Sequence, residues 1–260
     1  MAGGWEPAQY DRFRAERAAP FHDLLALLPP IPAGSAVDLG CGTGDLTVAL
    51  HEILGAASTV GIDSSAEMLG RARELDVAGV TFRAGDIATF AERAVHDVVA
   101  ANASLQWMPD HRSVLARWAA ALRPAGQLAV QVPANADHAS HRVAAALAAS
   151  EEFIGELGGH PPPDPVLSVL APEEYAVWLD ELGFEAQHVR LQVYGHRLAS
   201  SADVVEWVRG TSLTRFRRAL APDVYDRFII RYRECLLRAL GDRQPYFYAF
   251  KRILLWGRLP

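Results

Sequence analysis

Three aspartates, Asp38, Asp63 and Asp86, stand at or just beyond short apolar runs, and the first of these runs enters a glycine-rich turn, Gly40-Cys-Gly-Thr-Gly44. Carboxylates so placed can accept hydrogen bonds from hydroxyls and amines, or pair with a cationic group. Glycines at 40, 42 and 44 admit backbone angles closed to other residues, and their missing side chains let a ligand lie against the main chain. A strand–turn–helix of this kind first suggests a dinucleotide fingerprint, G-x-G-x-x-G. Counted from Gly40, however, the third glycine of that fingerprint falls on Asp45. A carboxylate at the start of the helix repels a pyrophosphate and suits a cofactor carrying positive charge.

The elements that must position these residues follow from periodicity. Ala36 to Leu39 predicts a strand; Leu46, Ala49, Leu50, Ile53 and Leu54 recur at helical spacing, and Gly55 stops them. Ser58 to Ile62 predicts a second strand with Asp63 at its carboxyl end, nineteen residues after Gly44. An acid at this distance suits ribose hydroxyls; a helix cap is the other reading. Ser64-Ser-Ala-Glu67 reads as a capping box, opening a helix that turns Met68, Leu69, Ala72 and Leu75 inward. A third strand, Val80 to Ala84, leads to Gly85-Asp86-Ile87, where a carboxylate beside a backbone amide can address the amine and ring nitrogen of adenine. A fourth, Asp97 to Ala101, runs into the polar stretch from Asn102. A helix over 112–122 precedes a fifth strand, Gln127 to Val132. Residues 134–183 read as mostly helical around a loop at 158–163, Glu185 to Gly195 as a sixth strand, 200–240 as helical and Pro245 to Gly257 as the last strand. Acids at the ends of successive strands mark the switch point of an open, doubly wound α/β sheet.

The divisions expected are an aromatic arm and helix over 1–33, a ligand-binding core over 34–133, and cap helices plus two strands over 134–260. A chain of 260 residues, half of them apolar, can bury a sizeable core. Its net charge of −6 argues against a nucleic-acid surface. No apolar run approaches the roughly 18 to 20 residues of a membrane span, and Cys41 and Cys235 have neither metal nor disulfide spacing. A cytoplasmic protein without a metal is expected. Charge is uneven, though: residues 209–258 hold twelve Arg or Lys against four acids, a local +8 that leaves −14 elsewhere. Arginine's planar fork suits an anion. Arg231 and Arg252, flanked by apolar residues, are the candidates to bind one, whereas Arg215, Arg217 and Arg218 read as solvated.

Asp38-Leu-Gly-Cys-Gly-Thr-Gly44 resembles motif I of the class I methyltransferases that use S-adenosylmethionine. The resemblance implies a Rossmann-like sheet of seven strands, the last antiparallel, under a helical cap. It places Gly40, Cys41, Gly42 and Gly44 against the methionine part of the cofactor and Asp38 at its amino group. Asp63, with Ser64 and Met68, belongs to the ribose side, Asp86 and Ile87 to adenine, and Asn102 to the site's edge. In many such enzymes a Tyr in the amino-terminal arm covers the cofactor, which makes Tyr10 a candidate; simple docking of the arm is the other reading.

A longer set of matches is similar to the trans-aconitate methyltransferase family. It comprises Trp5-x-Pro7-x-x-Tyr10-x-x-Phe13-x-x-x-Arg17-x-x-Pro20, Gly61-Ile-Asp-Ser-Ser65, Asn102-Ala-Ser-Leu-Gln-Trp107 with Pro109-Asp-His111, Val130-Gln-Val-Pro133 and Trp207-Val208. This implies methyl transfer to a small polycarboxylate, giving a monomethyl ester, with Asn102, Gln106 and Trp107 positioning the reactants. Trp107, Arg231 and Arg252 are the candidate acceptor contacts; packing is the other reading of Trp107. A carboxylate is ionised at neutral pH and needs no general base, and no nucleophile–base pair is visible; His111 and His138 read as surface or capping residues. Amide- and adenine-directed enzymes carry Asn-Pro-Pro-aromatic where this chain has Asn-Ala-Ser-Leu, which counts against nitrogen acceptors. Another small-molecule acceptor is the alternative, followed by an NAD oxidoreductase and a non-enzymatic cofactor-binding regulator.

Overall fold

The computed structural model describes the backbone from Arg14, and the side chains from Ala19, through Pro260. Trp5, Tyr10 and Phe13 therefore lie outside the described residues. The seven strands are β1 (Ser35–Leu39), β2 (Ser58–Asp63), β3 (Val80–Ala84), β4 (His96–Asn102), β5 (Leu122–Pro133), β6 (Ala186–Leu198) and β7 (Tyr246–Arg258). They form one sheet in the order β3-β2-β1-β4-β5-β7-β6. Neighbours among β1 to β5 are parallel, and β7 is antiparallel to both β5 and β6. The order reverses between β1 and β4, so the carboxyl ends of these strands open a crevice.

Side-chain alternation sorts the core onto two faces. Val98 and Ala100 pack on one, with Leu24 and Leu25 of α1 (Arg14–Leu25) and Leu50 and Leu54 of α2 (Asp45–Leu54). Val99 and Ala101 pack on the other, with Val114, Leu115 and Trp118 of α4 (His111–Ala120), the helix that follows the short α3 (Ala66–Ala72) in the chain's order.

A separate apolar cluster forms the cap, from α5 (Ala139–Ala148), α7 (Asp203–Arg209), α8 (Thr214–Ala219) and α9 (Pro222–Leu240). The thirteen-residue β7 belongs to both parts: Ile253, Leu254 and Leu255 lie in the sheet cores, while Tyr246, Tyr248 and Phe250 lie in the cap cluster. Because β7 runs against β5, its first half projects past the carboxyl edge of the parallel strands. The cap is therefore anchored directly above the crevice.

Three elements differ from the sequence reading. β5 starts at Leu122, where that residue pairs with His96 out of step with the Val98–Gln127 register, so the preceding helix ends at Ala120. α3 is capped by Ser65, not Ser64: Ser65 is the extended residue, and its Oγ accepts from the Met68 amide at 3.3 Å. Finally α6 (Pro172–Glu181) packs Tyr175 and Leu179 into the core shared with Trp118, so it covers the sheet instead of joining the cap. No helix among the described residues is long and apolar enough to cross a membrane.

Candidate active site

The glycine turn is fixed by its own backbone. The amides of Gly40 and Cys41 both donate to the Ile62 carbonyl, at 2.8 and 3.1 Å. The Gly42 amide donates to Asp63 Oδ2 at 2.9 Å, and the Ser65 amide donates to Asp63 Oδ1 at 2.8 Å. Asp63 thus ties the turn to the start of α3 and keeps further lone pairs for a ligand. The three glycines, all at positive φ, serve different ends. A Cβ on Gly40 would come within 2.4 Å of Ser104 Cβ, and one on Gly44 within 2.6 Å of the Phe82 ring, but one on Gly42 would meet nothing within 4 Å. Gly40 and Gly44 permit packing; Gly42 leaves open space.

That space belongs to a cavity of about 940 Å³ beneath the cap. Asp38, Gly40, Cys41 and Gly42 line it from β1 and the turn; Asp63, Ser64 and Met68 from the end of β2 and α3; Asp86 and Ile87 after β3; and Asn102, Gln106 and Trp107 after β4. Gly44 lies outside the lining, held against Phe82. Ala103 adopts φ 53, a conformation rare for a residue with a side chain, and Ser104 Oγ donates to the Leu39 carbonyl at 2.6 Å, pinning the β4 loop to β1. Asn102 Oδ1 and Gln106 Oε1 are buried with no hydrogen-bond partner among the described residues.

Asp38 is buried, and Thr47 Oγ1 donates to its Oδ2 at 2.6 Å. Desolvation, opposed by the Thr47 hydrogen bond and reinforced by the nearby Asp63 charge, raises its carboxyl to about 6. Burial likewise pushes the Cys41 thiol up, away from the reactive thiolate. No group of three His, Cys, Asp or Glu side chains among the described residues could hold a metal ion.

The lining is polarised by charge. Its acids, Asp38, Asp45, Asp63, Glu67 and Asp86, all come from residues 38–86, whereas Arg218, Arg252 and His141 come from the cap and β7, and one further histidine, His22, comes from α1. Arg252 is buried at the end of β5, where it pairs with Pro133 and its guanidinium lies 4.4 Å from the Phe250 ring centroid. Arg231 is elsewhere. The inward stripe of α9 runs through Val224, Tyr225, Phe228, Tyr232 and Leu236. Consecutive helical residues differ by about 100°, so Arg231 cannot share the direction of Tyr232. It is exposed instead, paired with Glu152 at 3.3 Å and Glu234 at 2.6 Å. Arg215, read as solvated, is buried against Asp164 at 3.0 Å. His111 is also buried, its Nδ1 2.6 Å from the Tyr175 hydroxyl, and desolvation lowers it to about 4. His138 does cap α5, accepting from the Ser140 amide at 3.1 Å.

Residues 32–161 match the model of a family described as a methyltransferase domain. The chain is 40% identical over 259 residues, covering 98% of both sequences, to a trans-aconitate 2-methyltransferase of Deinococcus radiodurans. It is 36% identical to one of Variovorax paradoxus, covering 98% of this chain and 96% of that one. The chain belongs to the trans-aconitate 2-methyltransferase family. It is an S-adenosylmethionine-dependent methyltransferase. The fold agrees: the YcgJ protein of Bacillus subtilis superposes with a TM-score of 0.58 at 14% identity, over 93% of this chain and 98% of that one. A phosphoethanolamine N-methyltransferase 2 of Haemonchus contortus, solved with S-adenosyl-L-methionine, superposes at 0.53 and 17% identity, over 93% of this chain and 52% of that one.

Within this methyltransferase, sequence reasoning missed His141 and Asp164, whose Nδ1 and Oδ2 atoms are 2.8 Å apart. They are separated by 23 positions across a region with little regular structure. No periodicity announces their meeting.

The glycine geometry yields a contrast. Gly42→Val is expected to fold, at a backbone strain of about 1 to 2 kcal/mol, and to lose S-adenosylmethionine binding, because its side chain enters the cavity. Gly40→Ala should chiefly lower the unfolding midpoint. Calorimetric binding and urea denaturation of both variants check this, and full binding by Gly42→Val would remove the turn from the ligand's path.

Proposed function

We propose that this enzyme transfers the methyl group of S-adenosylmethionine to a carboxylate oxygen of trans-aconitate or a similar small polycarboxylate, giving a monomethyl ester. The observation that carries the reading is the separation of charge along the cavity, acids at the glycine turn and cations at the cap. It suits a cationic cofactor beside an anionic acceptor, and the names of the curated relatives support the same acceptor. Bound there, S-adenosylmethionine supplies a sulfonium methyl for direct displacement.

In this reading Asp38 faces the cofactor's ammonium, the Gly40–Gly42 backbone lies along its methionine part, Asp63 accepts from the ribose hydroxyls, and Asp86 with the Ile87 amide addresses adenine. Asn102, Gln106 and Trp107 border the transfer point. The new oxygen–carbon bond forms as the carbon–sulfur bond breaks, and opposite charges disappear together. Apolar walls from Trp107, Val208 and Phe250 favour such a step by excluding water. The chain's task is alignment, which is worth several kcal/mol of barrier. Arg252 pairs with an acceptor carboxylate that does not react, since a buried unpaired carboxylate is costly. A small acceptor inside an acidic protein places nucleic acid outside the substrates, and a cytoplasmic setting fits two unpaired thiols.

Two measurements test these assignments. Without ligand, Asp38 holds its proton up to about pH 6, so its contribution to stability is present at lower pH and is lost as pH rises through that value. A bound ammonium favours the ionised form. The rise in Tm produced by S-adenosylmethionine should therefore grow as pH increases through about 6, and Asp38→Asn should flatten that growth. For the acceptor, Arg252→Met should raise the KM for trans-aconitate on the order of tenfold or more with little change in cofactor affinity, while Arg231→Met leaves both unchanged. Equal kinetics for wild type and Arg252→Met would move the anion site elsewhere.

A further inference from the structure

The cap carries a buried charged cluster that no part of the cofactor site requires. Asp164, at the start of a short 3₁₀ segment (Pro165–Ser168), is almost fully buried. Its Oδ2 accepts from His141 Nδ1 at 2.8 Å and from Arg215 Nη2 at 3.0 Å, and its Oδ1 accepts from the Val166 amide at 3.3 Å. Burial works against its charge, but His141 and Arg215 outweigh it and hold the carboxyl below its ordinary range. Arg215 is itself locked, its Nη1 donating to the Ser212 carbonyl at 2.8 Å. Such a carboxylate accepts only, so Nδ1 of His141 carries a proton and the ring orientation is set.

His141 lines the cavity, whereas Asp164 and Arg215 stand behind it. Its Nε2 has no hydrogen-bond partner among the described residues, yet it is not among the atoms sealed from contact with the cavity. The Arg215–Asp164 pair is neutral as a unit. With His141 as an imidazolium the cluster carries +1, a charge that a bound carboxylate would cancel. A polycarboxylate has carboxylates left over once one of them reacts, and Arg252 pairs with one.

We propose that His141, oriented by Asp164 and Arg215, is a second acceptor-binding residue whose Nε2–H donates to an acceptor carboxylate, so that the site selects acids with more than one non-reacting carboxylate. This rests on the acid acceptor proposed above. His141 is the group that touches the acceptor; Asp164 and Arg215 position it.

The test compares wild type with His141→Gln and Asp164→Asn, using S-adenosylmethionine affinity by calorimetry and ester formation from trans-aconitate and from a dicarboxylate lacking one arm. Expected for His141→Gln are unchanged cofactor affinity, a rise in KM for trans-aconitate of roughly 10- to 100-fold, a smaller change in kcat, and reduced preference for the tricarboxylate. Asp164→Asn, which removes the group that orients the ring, should raise the same KM by a smaller factor and leave cofactor affinity unchanged. If His141→Gln also loses the cofactor, Asp164→Asn decides, since an unchanged KM for trans-aconitate in that variant overturns the proposal. An unchanged KM in His141→Gln overturns it as well, as does a loss confined to kcat, which would place His141 in the chemical step and not in acceptor binding. In those cases the wild-type ester still stands. If wild type forms no ester from trans-aconitate, the acceptor reading fails, and the role of His141 fails with it.

Discussion

The site depends on where the end of β2 holds the glycine turn. Two amides of the turn converge on the Ile62 carbonyl and a third donates to Asp63. Backbone donors are spent on the neighbouring strand, so the turn cannot collapse into the space that Gly42 leaves open. The same Asp63 carboxylate accepts from the amide of Ser65, the residue that caps α3. One acid thereby sets the relation of β1, β2 and the helix after β2 before any ligand arrives. At Gly40 and Gly44 a side chain is excluded by contact with Ser104 and Phe82, whereas at Gly42 the space it would occupy is open.

The roof is built differently. The cap has its own apolar cluster, joined to the sheet through β7, whose two halves serve two cores. Arg252 lies at the junction, at the end of β5 and beside Phe250. A long antiparallel strand is a stiff support for such a residue, since its ladder continues on both sides, to β5 and to β6. The charge asymmetry of the chain, acidic overall and basic over 209–258, becomes an asymmetry across one cavity by this construction. Much of that local positive charge does other work: Arg227 and Arg231 pair with acids at the surface, and Arg215 is held inside by Asp164.

What the sequence by itself determined is the parallel half of the sheet and the acidic side of the cavity. There β1 to β4 are short, each ends at or within two residues of a side chain that lines the cavity, and a position at the strand end fixes where that side chain stands. Asp38, Asp63, Asp86 and Asn102 were legible for that reason, as was Gly42. Only the tertiary structure decided the basic side. Arg231 and Arg252 had equally apolar neighbours, but on a helix a flank lies within a few residues of the core stripe, so local composition does not say which way a side chain points. His141, Asp164 and Arg215 meet from α5, a 3₁₀ segment and α8, over sequence distances that no local rule spans. Their contact exists because the cap's apolar residues fold around them, and burial then makes each charge seek the others.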